Sequence, residues 1–217
     1  MQTAVKAHLD GLFQRYSLLA DIRHDIVSTF EISAGAFRNG KRLFVCGNGG
    51  SAADSEHIVG ELIKGFLSPR RLSAEAGDSI AEACDAADAA QYLRDNLQYG
   101  LPAISLTGHP SLATAVANDT AGDMVFAQQL FALGREGDVL LGLSTSGNAR
   151  NVYLAALVAR TLGMSVLALT GAGGGRMRSV ADACVCVPET ETFLVQELHL
   201  PVYHALCAML EAEFFPE

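Results

Sequence analysis

The chain has 217 residues, half of them hydrophobic, and a formal net charge of −9 with only 18% of residues charged. That length and apolar fraction are enough for one substantial core, while the acidic balance and the absence of a basic cluster argue against nucleic acid as a partner. No apolar run approaches the ~20 residues that span a bilayer, and the opening MQTAVKAHLDGLFQRY has no signal-peptide core, so a soluble cytoplasmic protein with no membrane partner is expected.

In chain order, residues 4–38 place apolar residues at three- and four-residue spacing and are expected to form a pair of helices. RLFVC, 42–46, reads as a short buried strand that runs into Gly47-Asn48-Gly49-Gly50-Ser51. Ser51 is the expected N-cap of a helix reaching Phe66, which carries His57 and Glu61 at i and i+4 on one face. Residues 67–100, rich in Ala and Asp, are expected to be an extended helical insertion. LPAISL, 101–106, is the second strand; HPSLATAVANDT is a short helix ending near Asn118, and MVFAQQLFAL is another helix. DVLLGLS, 138–144, is the third strand, followed by the helix NARNVYLAALVARTLG, the strand SVLALTG and the strand ACVCVP. TFLVQELHLPVYHALCAMLEAEFF closes the chain as a long helix. Pro201 is expected to kink it, and Gln196 and His204 lie eight residues apart on one face.

Unbroken apolar strands alternating with helices mean a parallel sheet covered on both faces. The expected fold class is α/β: a doubly wound, five-stranded, flavodoxin-like single domain over residues 1–217. Five cysteines are scattered along it. Alternation turns Cys184 and Cys186 to one face of a strand, where small buried hydrophobes are expected rather than a redox or metal pair.

Three strands end in small-residue turns: Gly47 to Ser51, Ser144-Thr145-Ser146-Gly147-Asn148, and Gly171-Ala172-Gly173-Gly174-Gly175. In a parallel sheet all three lie at the carboxyl edge, where open α/β folds take ligands. The first two run straight into helices whose free N–H groups favour anions, and their hydroxyls add short donors, so they are expected to cradle phosphate. The third needs no more than a tight turn to explain it. GNGGSA fits the dinucleotide pattern, but the acidic residue wanted about 20 positions on is missing, the next strand starting only near Leu101. No turn continues into Gly-Lys-Ser/Thr, so a P-loop fails as well. A small phosphorylated metabolite fits better. Two imidazoles, a carboxylate and an amide oxygen (His57, His204, Glu61 and Gln196) are a donor set for a divalent ion, zinc above all. Glu61 alone also suits a general base, its pKa raised by partial desolvation. A surface histidine, a solvated charge and partners for buried polar groups account for the same four residues.

CGNGGSAADSEHIVGEL, AND, REGDVLLGLSTSGNARNV, LTGAGGG and VQELHLPVYHAL together resemble the sugar isomerase (SIS) domain. Within it they resemble the phosphoheptose isomerases, which act on sedoheptulose 7-phosphate, over nearly the whole chain. The resemblance implies that Gly49, Gly50, Ser51, Ser144, Thr145, Ser146 and Gln196 contact the substrate, largely its phosphate, and that Asn118 and Asp119 hold sugar hydroxyls. It implies that His57, Glu61, Gln196 and His204 occupy the family's metal and catalytic positions, with one zinc per subunit. Glu61 and His204 would form the acid/base pair that moves a proton between C1 and C2. It implies a homotetramer with active sites shared between subunits. Three features depart from the family pattern: Lys64-Gly65 where a glycine-arginine pair is usual, Ala149 where a hydroxyl is usual, and the length of residues 67–100. The competing class is a non-catalytic SIS-domain sensor or an assembly factor of the replication initiator. Retention of Glu61 and His204 favours the enzyme.

Overall fold

Five short apolar runs pair in parallel in the order β2-β1-β3-β4-β5: β1 is Leu43–Cys46, β2 Ala103–Ser105, β3 Val139–Ser144, β4 Ser165–Thr170 and β5 Ala183–Cys186. The computed structural model describes residues 2–216. The strand order reverses between β1 and β3, which is where a doubly wound sheet opens a crevice at its carboxyl edge. Leu43 pairs with Val139 and Cys46 with Gly142, so the turns after β1 and β3 emerge side by side.

Strand alternation divides the core between the two faces of the sheet. Val139, Leu141 and Leu143 join a cluster with helices α1 (Thr3–Arg15), α2 (Arg23–Arg38), α3 (Gly50–Ile63) and α10 (Thr192–Phe214). Leu140 turns the other way, to α7 (Val125–Leu133) and α8 (Arg150–Thr161). Two short helices, α6 (Pro110–Asp119) and α9 (Gly175–Arg178), follow β2 and β4.

Helix α10 is the pillar of the first cluster. Buried residues line it from Val195 to Glu211, and the helix continues through Pro201 without interruption. Among the described residues it is the one helix long and apolar enough to cross a membrane, but 61% of that stretch is buried inside the fold, the signature of a core helix. It lies against α1, α2 and α3.

The start of α3 differs from the sequence expectation. The cap is Gly49, at φ +56°, with no side-chain hydrogen bond, and Ser51 is already inside the first turn, buried. A Cβ on Gly47 would stand 2.5 Å from the Ser51 carbonyl oxygen, so the chain must fold back tightly here and only glycine permits it. No side chain caps the turn; the Ser51 and Ala52 N–H groups donate instead to the Asn48 and Gly49 carbonyls at 3.0 Å each, so the turn closes on its own backbone.

Between α3 and β2 stand α4 (Ala74–Ala83) and α5 (Ala87–Asn96), packed on each other as a hairpin. Ser73 caps α4 by accepting from the Ala76 N–H. The base of the hairpin is closed by an antiparallel bridge between Arg71 and Gln98 and by the Gly65 N–H donating to Gln98 Oε1 at 2.7 Å. Behind it Arg70 and Glu211 form an ion pair whose side chains are 0% and 4% exposed.

Candidate active site

The turns after β1 and β3 and the first turns of α10 enclose a cavity of about 320 Å³ lined by Gly49, Gly50, Ser51, Ser144, Thr145, Ser146 and Gln196, with Asn48, Leu143, Ala149 and Thr192 completing the wall. Ser144 Oγ accepts from the Ala149 N–H at 3.3 Å, and Ser146 Oγ accepts from the Asn148 N–H at 3.1 Å. Each hydroxyl thus uses a lone pair to shape the loop and keeps its own proton to donate. Donor hydroxyls beside the N-terminal end of α3, with its positive dipole, make a site for an anion. Asn48 and Asn151 exchange two amide hydrogen bonds of 2.8 Å, clamping the first turn to α8. The third turn is a buttress. A Cβ on Gly147, at φ +66°, would lie 2.0 Å from the Gly174 carbonyl oxygen, the Met177 N–H donates to the Gly147 carbonyl, and the Arg176 N–H donates to Asn148 Oδ1. Gly50 has a similar duty, because a Cβ there would collide with Gln196 Nε2 at 2.5 Å.

Further along the α3–α10 seam lies a cluster of ionisable groups. His57 Nε2 is 3.2 Å from Glu61 Oε1, and Lys64 Nζ donates to Glu61 Oε2 at 2.9 Å. The His57 and His204 rings meet edge to face with centroids 5.0 Å apart. Burial pushes the Glu61 carboxyl up, but the hydrogen bond and charge of Lys64, aided by His57, outweigh it and hold the group below its ordinary range. The expected rise does not occur, because Lys64, the residue that caps the end of α3, reaches back to the carboxylate. His204 is shifted down, first by burial and then by the charge of His57, and its Nε2 is buried without a hydrogen-bond partner.

Three comparisons agree on what this arrangement belongs to. The SIS domain family model matches residues 75–171. The chain is 36% identical over 215 residues to a phosphoheptose isomerase of Akkermansia muciniphila, covering 99% of both. It is 39% identical over 201 residues to one from Geotalea daltonii, covering 93% of this chain and 90% of the relative. The solved phosphoheptose isomerase of Neisseria gonorrhoeae superposes with a TM-score of 0.72 at 32% identity, covering 96% of this chain and 97% of that one. The chain belongs to the phosphoheptose isomerase family. As a member of that family it is a sugar-phosphate isomerase.

The isomerase fold gathers its candidate residues into two groups. Gly49, Gly50, Ser51, Ser144, Thr145, Ser146 and Gln196 share the cavity, while His57, Glu61 and His204 share the other cluster. Ten residues of helix separate Ser51 from Glu61, about 15 Å along the axis, and eight separate Gln196 from His204, about 12 Å. Gln196 therefore stands with the phosphate cavity and apart from the other three candidate metal ligands. Asn118 and Asp119 close α6, with Asn118 Nδ2 donating to Asp119 Oδ1 at 2.7 Å, and neither lines the cavity. Among the described residues no three His, Cys, Asp or Glu side chains converge closely enough to hold a metal ion. The donor chemistry itself suits zinc, since His57, Glu61 and the unpartnered His204 nitrogen supply two imidazoles and a carboxylate. Asn48 and Thr192 were not singled out from the sequence. Asn48 was visible as the second residue of GNGGS, but Thr192 lies just before an apolar run and gave no signal.

Proposed function

We propose that the protein interconverts sedoheptulose 7-phosphate and glycero-manno-heptose 7-phosphate. The observation that carries this reading is Glu61, a carboxylate kept ionised beside an unpartnered His204 nitrogen on a seam that leads to an anion cavity. Isomerisation needs a base that takes a proton from C1 of the ketose and returns it to C2. Glu61 fills that role. His204, neutral and with a free nitrogen, moves the second proton between the C2 and C1 oxygens, so that the hydrogens balance and no co-reactant is consumed. The phosphate is anchored by Ser51, Ser144, Thr145 and Ser146, with Asn118 and Asp119 reserved for sugar hydroxyls.

The same reading includes zinc and a homotetramer. His57, Glu61 and His204 would hold the ion once their side chains draw closer together than they stand here, and it would supply Lewis-acid polarisation of the sugar carbonyl. Carbon–carbon bonds of about 1.5 Å make an extended seven-carbon sugar phosphate roughly 10 Å from C1 to phosphorus, short of the ~15 Å between Ser51 and Glu61 along α3. That difference supports sites completed by a second subunit. So do Phe193, Leu200 and Leu18, which leave apolar surface exposed on α10 and after α1. A charged sugar phosphate does not cross a bilayer unaided, which supports a cytoplasmic setting.

The test is turnover of C5 to C7 sugar phosphates by the purified protein. Sedoheptulose 7-phosphate is expected to be the best substrate, and Glu61→Gln is expected to lower kcat by ~10²–10⁴ with KM little changed. Binding of a sugar phosphate without turnover, equal in wild type and Glu61→Gln, would leave a sensor in place of the enzyme. Sedimentation equilibrium at micromolar concentration is expected to show four subunits, and a monomer would end the shared-site reading.

A further inference from the structure

A series of short polar contacts crosses the α3–α10 seam. Tyr203 donates its phenol proton to Asp54 Oδ1 at 3.2 Å, and the Tyr203 hydroxyl oxygen is 3.0 Å from His57 Nδ1. His57 Nε2 in turn is 3.2 Å from Glu61 Oε1. Asp54, His57 and Glu61 occur at i, i+3 and i+7, one stripe of α3. Tyr203, only 1% exposed, reaches this stripe from α10. A buried phenol needs a partner for its hydroxyl, and this one has two.

The direction of the series fixes where the hydrogens lie. An ionised Asp54 only accepts, so the Tyr203 proton points to it. The Tyr203 oxygen then presents a lone pair to His57, whose Nδ1 carries the hydrogen. In the neutral ring Nε2 is left with its own lone pair, turned to the Glu61 oxygen. His57 Nε2 and Glu61 Oε1, 3.2 Å apart, thus share one positive centre between them: the Nε2 proton when the ring is protonated, a substrate hydroxyl hydrogen or an ion when it is neutral. Partners beyond the reacting groups commonly set histidine tautomers in this way.

We propose that Tyr203 and Asp54 are positioning residues for the isomerase site, holding His57 in its Nδ1–H tautomer so that His57 Nε2 and Glu61 Oε1 jointly face the substrate or an ion. This rests on the reading that His57 and Glu61 form the reacting end. Neither Tyr203 nor Asp54 touches the reacting atoms; both act through His57. Asp54 Oδ1 has no other role among the described contacts, and the Tyr203 ring already fills the core without needing its hydroxyl.

Two substitutions test the proposal. In Asp54→Asn the amide donates to the Tyr203 oxygen, so the phenol proton turns to His57 Nδ1 and the imidazole hydrogen moves to Nε2. Tyr203→Phe keeps the ring in the core and removes the link. Solid-state ¹⁵N NMR of histidine-labelled protein, with His57 assigned by its loss in His57→Gln, is expected to show Nδ1–H in wild type and Nε2–H in Asp54→Asn. With sedoheptulose 7-phosphate both variants are expected to lose 10- to 100-fold in kcat, with KM within about twofold. The double variant should be no worse than the poorer single one, because the two residues act in series. Asp54 is only partly buried on α3, so its replacement is expected to fold even if Tyr203→Phe does not. An unchanged His57 tautomer in Asp54→Asn overturns the proposal, as does a changed tautomer with wild-type kcat. If Glu61→Gln kept full activity, the reacting-end reading would fall, while the NMR comparison would still decide whether Tyr203 and Asp54 set the tautomer.

Discussion

Replacing Glu211 with alanine removes one partner of a buried ion pair and is expected to be the most destabilising single change outside the apolar core. The Glu211 carboxylate accepts from the Phe66 N–H at 2.8 Å, the Leu67 N–H at 2.7 Å and Arg70 Nε at 2.9 Å. Without it the Arg70 guanidinium stays buried with its charge uncompensated, and two backbone donors lose their acceptor. Breaking a buried pair from one side costs about 3–5 kcal/mol, and the orphaned N–H groups keep the figure at the upper end of that range. For a chain of this size each kcal/mol moves Tm by roughly 2–4 °C, so at about 5 kcal/mol a fall of about 10–20 °C is expected. Calorimetry at matched protein concentration measures it, the matching being needed because subunit association would contribute to Tm. The double variant Arg70→Met, Glu211→Leu removes both charges and is expected to recover the part of the loss due to the uncompensated guanidinium, while the Phe66 and Leu67 N–H groups stay without an acceptor. A Glu211→Ala protein within 1 kcal/mol of wild type would mean that the pair is hydrated in solution, and the argument from burial would fail. Arg70 also donates to the Leu62 and Glu61 carbonyls at 2.6 and 3.1 Å, so the same variant is expected to loosen the end of α3 and reduce kcat.

Three further changes probe the site and the core. Ser146→Ala removes one hydrogen bond to a charged phosphate, worth about 1.5–3 kcal/mol. It is expected to raise KM more than it lowers kcat, and unchanged kinetics would remove that loop from the site. Lys64→Met deletes the main influence holding the Glu61 carboxyl low, so the acid limb of the kcat profile is expected to move to higher pH; an unmoved limb would mean that another group controls it. His199 is fully buried, neither ring nitrogen makes a well-formed hydrogen bond, and burial pushes its pKa from 6.5 down to about 4 against the opposing influence of the nearby Thr170 backbone. A depressed histidine pKa leaves stability intact above pH 6.5. As pH falls toward 4 the unfolded chain binds a proton that the folded chain refuses, a loss of roughly 3 kcal/mol. Urea unfolding between pH 7 and 4 measures this, and His199→Phe is expected to flatten the curve.

The strands and the two working turns were legible because each depends on a local pattern: an unbroken apolar run, then glycines and hydroxyls. The cap of α3 was not, since Ser51 is the usual choice and the positive φ of Gly49 is set by the approach of Gly47 to the Ser51 backbone. Glu61 was found by its spacing from His57, but the direction of its pKa shift was misjudged. Its burial could be anticipated, whereas the reach of Lys64 Nζ to Oε2 is a matter of rotamer. Tyr203 looks in sequence like one more core aromatic of α10, and its hydroxyl's partner, Asp54, lies 149 residues away. Pairings of that kind carry no periodicity, so a single sequence does not announce them.

The α4–α5 hairpin leaves and rejoins the fold at neighbouring points, with Arg71 and Gln98 bridged across its neck. Such a neck separates what hangs from it from what supports it. Residues such as Tyr92, 69% exposed, are free to drift in sequence, lengthen or shorten without disturbing α3, because Arg70 and Gln98 hold the framework side of the junction. A segment attached in this way is where a lineage can change its partners while leaving its chemistry alone. Cutting the hairpin back to a short turn between residues 72 and 97 should close easily, since loop-closure cost grows only slowly with length.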